Sequence, residues 1–170
     1  MIEMLFEQVG EVVRGSAPHE LGEPRLQARN SGIKVWYGDR SPAAREHYEA
    51  QVIGADIVTA ARASALEIGF HAEHPKQDDN VAALAALRAR EDRWRPGLGD
   101  DAVCGAFLGR DTWRRISETW LDPDLDDLDA AFEIGVRLVD YIRALEPHRR
   151  SATDATRPMA NTTRPVSGTT

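Results

Sequence analysis

The chain contains two His-x-Glu triplets, His47-Tyr48-Glu49 and His71-Ala72-Glu73. Residues two apart on a strand leave the same face, so each triplet presents an imidazole beside a carboxylate. If the two strands pair, His47, Glu49, His71 and Glu73 converge, and Glu67 shares their face on the second strand. Imidazole plus carboxylate suits zinc, iron or manganese, so a divalent metal is the cofactor such a cluster would take. A metal-dependent hydrolase is the activity it would allow. The same residues also suit the solvated face of a one-sided antiparallel sheet, which needs no ligand.

Other combinations are less complete. A metal-dependent nuclease would place a carboxylate ahead of Glu-x-Lys on the next strand; here Asp39 precedes Glu49-Ala50-Gln51, and the lysine is missing. Cys104, the single cysteine, has His71 or His74 as candidate bases but nothing local to activate it. Gly97-Leu98-Gly99 follows a helical stretch rather than a strand, so it is no phosphate-cradling loop. Trp113, Arg114 and Arg115, with Arg110 nearby, form a basic aromatic patch able to stack a base or grip a phosphate. Arg88, Arg90, Arg93 and Arg95 alternate with Glu91 and Asp92 around Trp94, the pattern of a solvated helix face.

The elements that must position these residues follow from periodicity. Ile2, Leu5, Phe6, Val9 and Val13 make one helix face, with Gly15 as its stop. Residues 16–32, with Pro18, Gly22, Pro24 and Gly32, read as a loop. Strands are expected at 33–37, 46–53 and 66–73, the first two joined by a turn at 38–42. A helix follows from Asp78 or Asp79 to Arg95-Pro96-Gly97, then strands at 102–108 and 112–120. Asp122 and Pro123 open a last helix whose stripe of Leu125, Leu128, Phe132, Leu138, Val139, Ile142 and Leu145 should be buried, ending at Pro147. The four tryptophans, Trp36, Trp94, Trp113 and Trp120, are expected mostly between sheet and helices. The order α-βββ-α-ββ-α, with short links between strands, implies an α+β fold: a largely antiparallel sheet of about five strands with helices on one face. Residues 1–147 form one domain, and 148–170, rich in Thr, Ser and Ala, a disordered tail.

Composition narrows the function. The chain has 170 residues, 42% hydrophobic and 29% charged, enough for a core without disulfides. Its net charge is −7. Arg149, Arg150, Arg157 and Arg164 against Asp154 make the tail basic, so the body is more acidic still. Such a body binds nucleic acid poorly except through the arginine patch or the tail. The N-terminus lacks the basic region of a signal peptide and no apolar run spans a bilayer, so a cytoplasmic protein with no membrane contact is expected.

From Leu66-Glu67-Ile68-Gly69-Phe70-His71-Ala72-Glu73 through Asn80, Leu98-Gly99, Trp113-Arg114-Arg115-Ile116 and Leu145-Glu146-Pro147, residues 65–147 resemble a family of uncharacterised bacterial domains. Those domains are often appended to nuclease-like domains of restriction or repair systems. The resemblance implies an accessory binding module with no assigned catalytic residue, here without an attached nuclease. The expectation is therefore a non-enzymatic binding or accessory protein. It would meet a protein partner or a second copy through the open sheet face around His47, Glu49, His71 and Glu73, or through Trp113 to Arg115.

Overall fold

The computed structural model describes residues 2–38 and 44–156; the expected turn at 38–42 falls mostly outside the described residues, as do residues 157–170 of the tail. The elements run α1 (Ile2–Ser16), a short 3-10 turn (His19–Leu21), β1 (Arg25–Arg29), β2 (Gly32–Trp36), β3 (Glu46–Gly54), β4 (Ser64–Ala72), α2 (Gln77–Arg88), α3 (Glu91–Leu98), β5 (Val103–Phe107), β6 (Arg110–Leu121) and α4 (Ala130–Thr156). The strands form one antiparallel sheet in the order β1-β2-β3-β4-β6-β5. This is the α+β architecture read from the sequence, with six strands where about five were expected.

Alternation decides which face becomes the core. Val35, Tyr48, Ala50, Ile68, Phe70 and Ile116 point to one side, where Phe6, Val9 and Val13 of α1, Leu84 and Leu87 of α2, and Leu138, Tyr141 and Ile142 of α4 cover them. Each large side chain buried this way contributes about 1.5–3 kcal/mol before entropy is counted. Gly135 lets α4 approach α1: a Cβ there would stand 2.6 Å from Val12 Cβ.

Four boundaries differ from the sequence reading. The segment 16–32 contains β1, an edge strand whose exposed Arg25, Gln27 and Arg29 suit a position paired on one side only. The single helix expected from 78 to 95 breaks into α2 and α3 because Trp94 turns inward, and its indole N–H donates to Leu87 O (2.8 Å) at the end of α2. The last helix begins at Ala130, not Asp122. Asp122 instead adopts a positive φ of 47° and accepts the backbone N–H groups of Arg62 and Ala63, tying the 54–64 connection to the end of β6. As a result Leu128 precedes the helix and is exposed, as is Phe132, while Ala130, Ala131 and Ile134 turn inward.

At its other end α4 continues through Pro147 to Thr156, so residues 148–156 of the expected tail are helical. Buried Glu146 ties down the turn that follows Pro147. It accepts hydrogen bonds from Tyr48 Oη (3.0 Å), Arg149 Nε (2.8 Å) and Nη2 (2.7 Å), and Arg150 Nε (3.1 Å), while Arg150 also reaches Leu21 O. Burial alone would raise the Glu146 carboxyl, but hydrogen bonds and charge from Arg149, with help from Arg150 and Tyr48, hold it below the usual range. A lowered folded value means the contribution is whole above the unfolded value of about 4.3 and is lost as pH falls through the folded one. Glu146→Ala should therefore cost about 3 kcal/mol in urea unfolding at pH 7. The gap between variant and parent should narrow as pH falls below about 4; a gap unchanged with pH would contradict this role.

Candidate metal centre

The centre is set by one strand pairing. β3 and β4 pair over nine positions, with His47 opposite His71 and Glu49 opposite Gly69. Tyr48 and Phe70 occupy the helix face, so alternation sends His47, Glu49, Glu67 and His71 to the other. Glu73 continues the line, its N–H donating to Arg45 O (2.8 Å). The two imidazoles meet edge to face, centroids 5.6 Å apart.

Both rings are fixed from outside. His47 Nδ1 lies 2.8 Å from Ala44 O, a carbonyl that only accepts, so Nδ1 carries the hydrogen and Nε2 faces inward. His71 Nε2 lies 2.9 Å from Glu67 Oε1, which leaves Nδ1 inward. Those inner nitrogens meet two carboxylates. His47 Nε2 is 3.2 Å and His71 Nδ1 3.1 Å from Glu49 Oε2; the same atoms are 3.5 and 3.6 Å from Glu73 Oε1. The second oxygen of Glu73 is taken by Lys34 Nζ at 2.9 Å, which also stands 3.4 Å from Glu49 Oε2. The outer atoms of His47, His71 and Glu73 are thus anchored, as in metal sites whose ligands are oriented by a surrounding hydrogen-bonded layer.

This face was expected to be solvated, and it is not. His47, Glu49, Glu67 and His71 are all buried, although the helices lie on the other side of the sheet. Lys34 and Trp36 of β2 flank the cluster on one side. On the other, Phe107 stands 4.8 Å from the His71 ring, Trp113 packs on Phe107 and Arg110 covers Trp113. Arg115 is buried too, donating to Ala106 O and Ser117 Oγ and lying 4.0 Å from Glu67.

Burial makes the charges interact strongly. For Glu49, burial raises the carboxyl, but hydrogen bonds from His47 and His71 with the charges of His71 and Lys34 outweigh it and pull it down to about 2. Glu73 is lowered further by the same groups against the same burial. Burial would discharge His71, yet the Glu67 charge and its contacts with Glu49, Glu67 and Glu73 raise it well above the ordinary imidazole value. The direction of that shift favours the protonated ring over the neutral one when the cluster holds no ion.

The four residues can hold a metal ion. One ligand atom from each lies within 4.8 Å of the others. A tetrahedral ion with bonds of about 2.0–2.1 Å needs ligand-to-ligand edges of about 3.3–3.4 Å. Four of the six edges, those from nitrogen to oxygen, are 3.1–3.6 Å and bracket that value, while the whole donor set spreads to 4.8 Å, so the like pairs must draw together around an ion.

The remaining sequence candidates separate. Trp113 and Arg115 face the cluster side, whereas Arg114 points to the opposite face and bonds Asp111 O and Trp113 O, so the three do not form one patch. Cys104, opposite Ile116, lies on the helix side beside Arg95 and away from His71; burial, ahead of nearby charges, pushes its thiol up. Asp39 lies outside the described residues. Of the tryptophans, Trp94 is in the core and Trp120 is on the helix face bonded to Glu118 (2.7 Å). Trp36 and Trp113 frame the cluster side. Lys34 is the residue the sequence reading missed. It is one of two lysines in a chain that otherwise uses arginine, and it lies between Ile33 and Val35 on a strand.

In comparisons with known proteins the chain matches no family model, no curated protein and no solved structure. Among the described residues no helix is long and apolar enough to cross a membrane.

Gly69 sits amid the cluster, between Glu67 and His71 and opposite Glu49. At φ 156°, its absent Cβ would fall 2.3 Å from Ile116 O and 2.5 Å from Ser117 Cα, both in neighbouring backbone. Gly69→Ala should destabilise the protein by about 2 kcal/mol or more in thermal or urea unfolding. A neutral result would mean that β4 and β6 do not approach so closely.

Proposed function

We propose that the protein is a non-enzymatic metal-binding protein that holds one divalent transition-metal ion, zinc by preference, between His47, Glu49, His71 and Glu73. One observation carries the reading: two imidazole nitrogens, their tautomers set from outside, aim at two carboxylate oxygens. In neutral rings those inner nitrogens are lone pairs facing anions, an arrangement that only a cation relieves. The cation is either a proton or a metal ion. His47 Nε2 and His71 Nδ1 with Glu49 Oε2 and Glu73 Oε1 supply the nitrogen and oxygen donors that zinc accepts.

Non-enzymatic follows from closure. Four protein ligands fill a tetrahedral shell, whereas catalytic zinc keeps a position for water or substrate. His47, Glu49 and His71 are also buried, and the Glu73 side chain is only 11 % exposed, which leaves little room for a substrate to reach the ion. The hydrolase reading requires an open position and is the weaker one. A different reading rests on charge. Glu49, Glu67 and Glu73 are balanced by Lys34, Arg115 and protonated His71, so the cluster also closes electrically with a proton in place of the ion. It would then be a polar brace binding nothing.

Elemental analysis separates the two. Protein purified without chelator should carry about one zinc per chain, and stripped protein should regain it with a dissociation constant in the micromolar range or tighter. Glu73→Gln removes a direct ligand and should weaken the ion by at least the roughly 10- to 100-fold that loss of an outer-shell partner costs, while leaving the fold intact by circular dichroism. Protein that stays metal-free and takes up no ion in calorimetric titration with zinc, manganese or ferrous iron would leave the proton-filled brace as the correct reading.

A further inference from the structure

A second arrangement of charge lies among the helices, where α3 meets the last turns of α4. There a concavity of about 480 Å³ is lined by Ala89, Arg90, Asp92, Arg93 and His148. In a chain of net charge −7, two arginines beside an imidazole here face one acid, a local reversal of sign. Asp92 lies 3.5 Å from Arg93 Nε, while Arg90 has no ion pair among the described residues. Glu91, the other acid of this turn, is held by Arg95 at 2.5 Å. Arg90 occupies the N-cap of α3 without a side-chain cap, and the neighbouring Ala89 is the C-cap of α2, so the concavity lies at the junction of the two helices. His148 registers this field: burial first, then Arg90 and Arg93, hold its imidazole below the ordinary value.

We propose that this concavity binds the phosphate of a small phosphomonoester, held between Arg90, Arg93 and His148. Guanidinium forks match phosphate oxygens in pairs, which favours a phosphate over a single carboxylate. The volume falls in the range of small-molecule sites, about 300–1,000 Å³, and exceeds what a bare phosphate ion fills. The site is independent of the metal cluster, which occupies the other face of the sheet.

The test follows the His148 C2 proton by NMR, assigned with His148→Gln. The full chain is titrated with glycerol 3-phosphate and with inorganic phosphate at constant ionic strength. Glycerol 3-phosphate should give a saturable shift at millimolar concentration. Binding should weaken at least about tenfold in the Arg90→Ala, Arg93→Ala variant, whose exposed side chains can be removed without unfolding. A shift no larger than chloride produces, or equal binding by the variant, would overturn the proposal. Binding of inorganic phosphate without the ester would reduce it to an ion site and overturn the ester assignment.

Discussion

The opposition of His47 and His71 across the β3–β4 pair is the constraint on which the rest of the molecule depends. The same nine-position register places Tyr48 against Phe70 and Ala50 against Ile68 beneath the helices. A slip by one residue would send the aromatic core outward and the imidazoles inward, so core and cluster stand or fall together. Glu146 reinforces this from the helix side, because Tyr48, the residue between His47 and Glu49, donates its hydroxyl to that carboxylate.

Burying three carboxylates on one sheet face would be prohibitive without compensation. Lys34, Arg115 and His71 provide it, each from a different strand. Lysine suits its place: a compact point charge fits between Glu49 and Glu73, where the planar guanidinium would demand a fixed geometry. The cluster is consequently held by hydrogen bonds and ion pairs within the chain itself. Under the proposed reading an ion would take the place of a proton between groups already gathered by the strand pairing, so part of the ordering cost is met during folding.

Much of the site was legible in the sequence, because strand alternation is a local property. The His-x-Glu repeat and the alternation of Leu66, Ile68 and Phe70 were enough to bring His47, Glu49, His71, Glu73 and Glu67 to one face. Its burial was not legible. That depends on Phe107, which meets His71, and on Trp113 behind it, both placed by the long-range pairing of β4 with β6 and of β6 with β5. The same distinction explains the fold. Helix faces with strong periodicity, such as Phe6, Val9 and Val13, were found. The start of α4 was misplaced because Asp122, a good cap by type, is occupied by the backbone of Arg62 and Ala63 about sixty residues earlier. Strand β1 was hidden by the prolines and glycines around it, since an edge strand needs little apolar sequence of its own.

The central claim is that four side chains converge on one cation, and X-ray absorption at the zinc edge of zinc-loaded protein addresses it directly. The account predicts four nitrogen or oxygen neighbours at about 2.0–2.1 Å, with the outer-shell scattering of two imidazoles. A shell of six light atoms without imidazole scattering, the signature of a hydrated ion on surface carboxylates, would contradict it.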